Sequence, residues 1–276
     1  MEQILLKKSF SDKTLKVYLS IIKRLEKLKF KYPKSKNEKV EYIREFFSEN
    51  KIEKASSRLD LLNLVIVLRT IQELPTDKLK QYRTELSKER LTNQVSKMSD
   101  LKDKLMSLPE FQKELMKAYE DGEWAKFIIN YLMMTYGTRN MDADVEIVKS
   151  KKGATDDKQN YLILSKDKVI WIRNKYKTVK TFGQQTHNIT DPEFVRAVKK
   201  QGAGRLFTEG QLSNSIRKLL IDKMNEARIF KMVIDDAYDH KDTKRINELS
   251  KSRGTSISTI KSFYNINAED EIIKEL

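Results

Sequence analysis

In the N-terminal third the apolar residues recur at helical spacing. Ser11 or Asp12 can cap a helix running to about Lys29, and Leu15, Tyr18, Leu19, Ile22 and Leu25 fall on one face of it. Lys16, Lys23, Arg24 and Lys27 lie largely off that face. Pro33 sits in the connection to a second helix, from about Glu38 to Ser48, that turns Val40, Ile43, Phe46 and Phe47 inward. A third, about Ser56 to Leu74, is strongly apolar (Leu61, Leu62, Leu64, Val65, Ile66, Leu68), and Pro75 ends it. A fourth opens at Thr76 or Asp77 and covers about Lys78 to Gln94. These helices predict a compact helical domain over residues 1–95. The next stretch is rich in charge and poor in large apolar side chains, which predicts a linker over residues 96–108.

The second domain, residues 109–276, opens with helices over about Phe111 to Tyr119 and Glu123 to Tyr136. Trp124, Phe127, Ile128, Tyr131, Leu132 and Met134 supply much of its core. The period then shortens. Val145–Val148 alternates weakly, Tyr161–Leu164 and Val169–Ile172 form a hairpin across Ser165–Lys168, and Gln185–Ile189 reads as a further strand. Helices return at about Pro192–Lys200, Glu209–Lys223, Asn225–Tyr238, Thr243–Ser252 and Ser256–Tyr264. A last amphipathic turn or two over Glu269–Leu276 carries Ile272, Ile273 and Leu276. The fold class expected is mainly α with a small antiparallel β-sheet.

Composition narrows the chemistry. The 276 residues include no cysteine, which excludes disulfides, thiolate metal sites and cysteine nucleophiles. Two histidines, His187 and His240, are too few for a multi-histidine zinc site and leave few ways to build a Ser-His-Asp triad. The net charge of +15 points to a polyanion, because each phosphate contact by Lys or Arg releases condensed counterions. No apolar run approaches the roughly 18 residues of a membrane span, and residues 1–10 lack the length and cleavage site of a signal peptide. An intracellular location is expected.

Phosphate-cradling glycine loops, dinucleotide glycine patterns and the H-E-x-x-H motif are all missing. The neighbouring acids Asp235/Asp236 and Asp156/Asp157 read as solvated surface rather than a magnesium site. What remains is a set of basic residues at structural transitions. Arg139 closes a buried-looking helix in Tyr136-Gly-Thr-Arg139-Asn-Met-Asp142. Lys177 follows a strand, Arg228 lies near a helix start, and Tyr264 ends a helix.

In this order the chain resembles the tyrosine recombinases, the phage-integrase-like superfamily. Gly137-Thr-Arg139-Asn-Met-Asp142 is similar to the family's G-x-R-x-x-E box, with Asp for Glu, and Lys177-Thr178 to its β-hairpin lysine. Asn225-Glu-Ala-Arg228 stands where H-x-x-R is found, and Gly254-Thr255 where G-H is found. Thr255 precedes Tyr264 by nine residues, the family's His-to-Tyr spacing. Ser11, Thr14 and Tyr18 resemble the family's opening helix, and the whole most resembles compact integrases of large DNA viruses and their mobile elements.

The resemblance implies a site-specific recombinase that cleaves and rejoins double-stranded DNA through a 3′-phosphotyrosyl bond, with no metal ion or cofactor. Tyr264 would be the nucleophile, Arg139 and Arg228 would hold the non-bridging oxygens, and Lys177 would protonate the departing 5′ oxygen, with Lys175 and Lys180 as competitors for that role. Asp142 would orient the first-box neighbours or form a plain salt bridge. Asn225 and Thr255 would contact phosphate or merely fill structure, and neither shuttles a proton as an imidazole does. The helical domain would grip duplex DNA and the second domain would close from the other side, four protomers assembling on two duplexes. The tail, residues 265–276, would dock on a neighbouring protomer or on its own domain. The alternatives are a non-catalytic DNA-binding relative, a type IB topoisomerase-like enzyme, and a general basic helical protein.

Overall fold

The computed structural model describes residues 1–102, 105–206, 212–222 and 224–264, and the chain divides between Lys97 and Met98 into two units, each with its own apolar core. The predicted tail lies outside the described residues.

The first unit holds α1 (Glu2–Leu5), α2 (Asp12–Lys27), α3 (Val40–Glu49), α4 (Ala55–Ile71) and most of α5 (Asp77–Lys102). α2 begins where Ser11 predicts it, the hydroxyl accepting the Thr14 N–H at 3.3 Å. α4 is the central element, burying Leu59, Leu61, Leu62, Leu64, Val65, Ile66 and Leu68. It stops before Pro75 is reached. Glu73 turns left-handed at φ 56°, and the Leu74 N–H returns to the Arg69 carbonyl at 2.9 Å. Arg69 is itself buried within the core and donates to the carbonyls of Pro75 and Pro33 at 2.8 and 2.9 Å. α5 runs on through Lys102, so the expected linker is helical over its first residues. A charged helix without an apolar stripe carries no period for a sequence reading to find.

The second unit continues with α6 (Leu108–Glu120), α7 (Trp124–Tyr136), β1 (Val145–Val148), β2 (Asn160–Leu164), β3 (Val169–Arg173), α8 (Val179–Phe182), β4 (Gln185–Ile189), α9 (Pro192–Gln201), β5 (Gly204–Arg205), α10 (Leu212–Leu219), α11 (Glu226–Asp239), α12 (Thr243–Arg253) and α13 (Ile257–Tyr264). The mainly helical class with one small sheet is the one expected. The sheet order is β4-β3-β2-β1-β5, and the predicted hairpin pairs Tyr161 with Ile172 and Leu164 with Val169.

The sheet is mixed rather than antiparallel. β1 runs parallel to β2, Val145 opposite Asn160 and Val148 opposite Ile163. Residues 149–159 form a connection long enough to return the chain to the end at which β1 started, which a tight hairpin would not do.

Alternation along the strands separates two faces. Val145, Ile147, Leu162, Val169, Trp171 and Ile189 enter the main core with α7, α9 and α11, whereas Tyr161, Ile163 and Val148 form a small cluster with Ile170 and Ile172 on the other face. α7 and α12 both end on a left-handed glycine, Gly137 and Gly254, each at φ 61°. Arg139 and Thr255 follow these two turns. A Cβ on Gly137 would lie 2.6 Å from Phe230, and one on Gly254 would overlap the Thr178 side chain.

Gly137→Ala is therefore expected to lower the unfolding free energy by about 2–4 kcal/mol, combining a left-handed alanine with overpacking. Gly122→Ala, at φ 73° where a Cβ would meet Trp124 only at an ordinary 3.6 Å, should lose only about 1–2 kcal/mol. Urea unfolding of both variants checks this, and equal losses would show that close approach to Phe230 does not fix the turn.

Candidate active site

The Gly137 turn releases the chain from α7 and closes on its own acid. Asp142 Oδ2 accepts the Arg139 backbone N–H at 2.9 Å. The same oxygen accepts Arg173 Nη2 at 2.7 Å, with both side chains wholly buried. Asp142 thus does both things the sequence left open: it orders the turn and forms an ion pair. Burial pushes its carboxyl up from its ordinary value, against the pull of Arg173. Burial likewise pushes the Arg173 guanidinium down. Arg173 Nη1 also donates to the Ser252 carbonyl at 2.7 Å, which ties the end of β3 to the end of α12.

Arg139 reaches across the molecule to the second glycine turn. Its Nη1 donates to the Arg253 carbonyl at 2.5 Å and its Nη2 to Thr255 Oγ1 at 3.0 Å. Two motifs more than a hundred residues apart in the chain thereby meet side chain to side chain. The Arg139 guanidinium is half-buried and held below its ordinary value by burial first and then by the neighbouring Arg253 cation. Asp142, Glu226 and Tyr264 act in the opposite direction.

Arg253 joins the remaining parts. It is 2% exposed. Its Nη1 donates to the carbonyls of Gly137 and Thr138 at 2.7 and 3.2 Å, and its Nη2 to Glu226 Oε1 at 2.8 Å. The other Glu226 oxygen accepts the Asn140 N–H at 2.9 Å, so the first turn of α11 is bound to the Arg139 turn. The Arg253 guanidinium lies 4.1 Å from the centre of the Phe230 ring and 5.4 Å from that of Tyr264. Tyr264 ends α13 half-buried, edge-on to Phe230 at 4.7 Å.

The other predicted residues fall on the elements around this cluster. Lys177 is exposed in the connection between β3 and β4, next to Thr178, whose side chain fills the space over Gly254. Of its competitors, Lys175 pairs with Asp144 at 3.1 Å, while Lys180 lies exposed on α8. Arg228 is half-buried in the first turn of α11. Asn225 is the N-cap of that helix, its Oδ1 accepting the Arg228 N–H at 3.0 Å. That capping role is the structural one of the two left open for Asn225.

Neither imidazole stands in for the family's histidines. His240 bonds the Asp236 carbonyl at 2.9 Å at the end of α11. His187 lies on β4 between Tyr136 and Trp171, its ring 4.8 and 5.2 Å from theirs. Burial, then Arg173, depresses the His187 pKa to about 4.

Arg253, Arg173 and Glu226 were not singled out from the sequence, although a signal existed for the two arginines. Ile246, Leu249 and Arg253 share one face of α12, and Val169, Trp171 and Arg173 one face of β3, so both cations occupy positions where an apolar side chain is the rule.

No protein-family model and no curated protein matches the chain. Among solved structures it is similar to the crystal structure of XerA recombinase, with 13% identity over 99% of this chain and 94% of that one, at a TM-score of 0.32.

The depressed His187 pKa makes a pH prediction. Unfolded, the ring takes up its proton near 6.5; folded, it stays neutral to about 4. The unfolded chain binds more protons between those values, so His187 adds stability above pH 6.5 that is lost as pH falls towards 4. His187→Phe should flatten that part of the stability curve. Identical acid slopes for variant and parent in chemical denaturation would show that His187 titrates normally.

Proposed function

We propose that this chain is a site-specific DNA recombinase that breaks and rejoins strands through Tyr264. The single observation that carries this reading is the state of Arg139. Arg173 is paired with Asp142 and Arg253 with Glu226, whereas the hydrogen bonds of the Arg139 guanidinium go to a carbonyl and a hydroxyl. A half-buried guanidinium on neutral partners, near the Tyr264 ring, retains charge to offer an anion. The net charge of +15 supports a polyanionic partner.

In this reading the Tyr264 oxygen attacks the phosphorus and loses its proton to solvent. A bond forms from phosphorus to the phenolic oxygen, and the bond from phosphorus to the 5′ oxygen breaks. Arg139 and Arg228 neutralise the non-bridging oxygens, and Lys177 delivers a proton to the leaving 5′ oxygen. Thr255 accepts from Arg139, which leaves its own hydroxyl hydrogen for a phosphate oxygen. Rejoining runs the same steps backwards. Residues 1–95 grip the duplex, residues 109–276 carry the chemistry, and four protomers pair two sites. An integrase of a virus or mobile element, acting where its DNA is, fits this reading.

A second reading, a DNA-binding protein that does not cleave, is favoured by Asn225. Its carboxamide oxygen is engaged in capping α11, at the position where the family resemblance would place a proton-transferring imidazole.

Trapping on nicked duplexes separates the two. We expect an SDS-resistant protein–DNA adduct that disappears in Tyr264→Phe and falls on the order of 100- to 1,000-fold in Arg139→Ala. Tight duplex binding with no adduct from the parent protein would select the second reading.

A further inference from the structure

We propose that Arg253 is the positioning residue of this site: it holds Tyr264 against the Arg139 turn, so that nucleophile and phosphate-binding guanidinium keep one geometry with no imidazole to set it. The inference rests on the strand-cleavage reading above. Tyr264 is at the last position of its helix and only half-buried, so α13 alone fixes its ring loosely. Two groups confine the ring: the Phe230 ring, centre to centre at 4.7 Å and nearly perpendicular, and the Arg253 guanidinium at 5.4 Å from its centre. Phe230 in turn lies under the same guanidinium at 4.1 Å. A planar cation stacked on one ring and close to a second restricts both.

The rest of the Arg253 side chain fixes that plane. Its fork reaches Gly137 and Thr138, the two residues that lead into Arg139, and on the other side Glu226, whose second oxygen holds Asn140. Its backbone carbonyl accepts Arg139 Nη1. Arg253 therefore touches the residues before Arg139, Arg139 itself and the ring of Tyr264, and through Glu226 the residue after Arg139. Few side chains span such a set. An ammonium is a point charge without a flat face, so lysine could satisfy the carbonyls or Glu226 but could not also stack on Phe230.

The alternative is a buried cation that stabilises the fold and nothing more. The two differ in what is lost. A purely structural arginine takes stability, DNA affinity and cleavage down together. A positioning residue leaves binding intact and slows the chemical step, since small displacements of a nucleophile are costly.

The test uses the full chain labelled with 13C-tyrosine, as parent, Arg253→Met and Arg253→Lys, with the Tyr264 ring signal assigned by its absence in Tyr264→Phe. In Arg253→Met the Tyr264 signal should move most of the way to the free-tyrosine position. Duplex affinity should stay within about twofold, while the rate of adduct formation on nicked duplex falls on the order of 100-fold. Arg253→Lys should regain no more than about a tenth of the lost rate. A Tyr264 signal that does not move, or a cleavage rate that falls only in step with affinity, overturns the proposal. If Arg253→Met does not fold, Arg253→Lys carries the same three measurements. If the parent protein forms no adduct, the strand-cleavage reading fails on its own, and the tyrosine signal still decides whether Arg253 sets Tyr264.

Discussion

The Asp142–Arg173 ion pair is the constraint from which the site is built. Both side chains are fully buried and 2.7 Å apart. Losing one member of such a pair strands the other and costs about 3–5 kcal/mol. The cost makes the pair demanding of its surroundings. Asp142 must also accept the Arg139 N–H, and Arg173 must also find the Ser252 carbonyl and Gln185, before the desolvation of both is offset. Satisfying the pair thus fixes the Arg139 turn, the end of β3, the start of β4 and the end of α12 at once.

The placement of the arginines has a common cause. A helix leaves its last carbonyls without internal partners and carries a partial negative charge at that end. α7 and α12 both bring such ends to this region. Arg253 takes the Gly137 and Thr138 carbonyls past the end of α7, Arg173 takes Ser252 at the end of α12, and Arg139 takes Arg253 beside it. Arg69 does the same past the end of α4 with Pro75. Each guanidinium meets an unmet backbone acceptor, and in the second unit the ends of α7 and α12 gather three of them into one place. Left-handed glycines at both ends, Gly137 and Gly254, keep those carbonyls accessible by turning the chain away without a Cβ.

The parts of the structure legible in the sequence were those with a period or a stop signal. α2 was set by Ser11 and its apolar stripe, the β2–β3 hairpin by two alternating runs around Ser165–Lys168, and α7 by its aromatic and aliphatic run. The direction of β1 was not legible, because four alternating residues encode a face and not a polarity; the length of the return connection decides it. Within the site, the order of the motif-like segments pointed to Arg139, Thr255 and Tyr264, and these the structure brings to one region. Asn225 is legible as a helix cap, an Asn directly before a helix start. Arg173 and Arg253 were not legible because inward positions are marked in a sequence by apolar side chains, and a charge standing in one breaks the pattern.

Arg139 is left without a directly bonded anion. It is half-buried and faces a second guanidinium, and its hydrogen-bond partners are neutral, so burial and Arg253 both disfavour its charge. Asp142 and Glu226 moderate this from a distance, but each is in contact with another arginine. Without a ligand the arrangement costs stability. In the strand-cleavage reading proposed for this chain, a phosphate oxygen at Arg139 would supply the missing negative charge, with an effect that grows as charge builds on that oxygen during displacement. The imbalance lies beside a tyrosine, and Arg253 both raises it and lies against the ring of that tyrosine. Neutralising Arg253 would ease the repulsion on Arg139, but it would also strand Glu226 and the Gly137 and Thr138 carbonyls and loosen Tyr264, so the fold and the site depend on the same side chain.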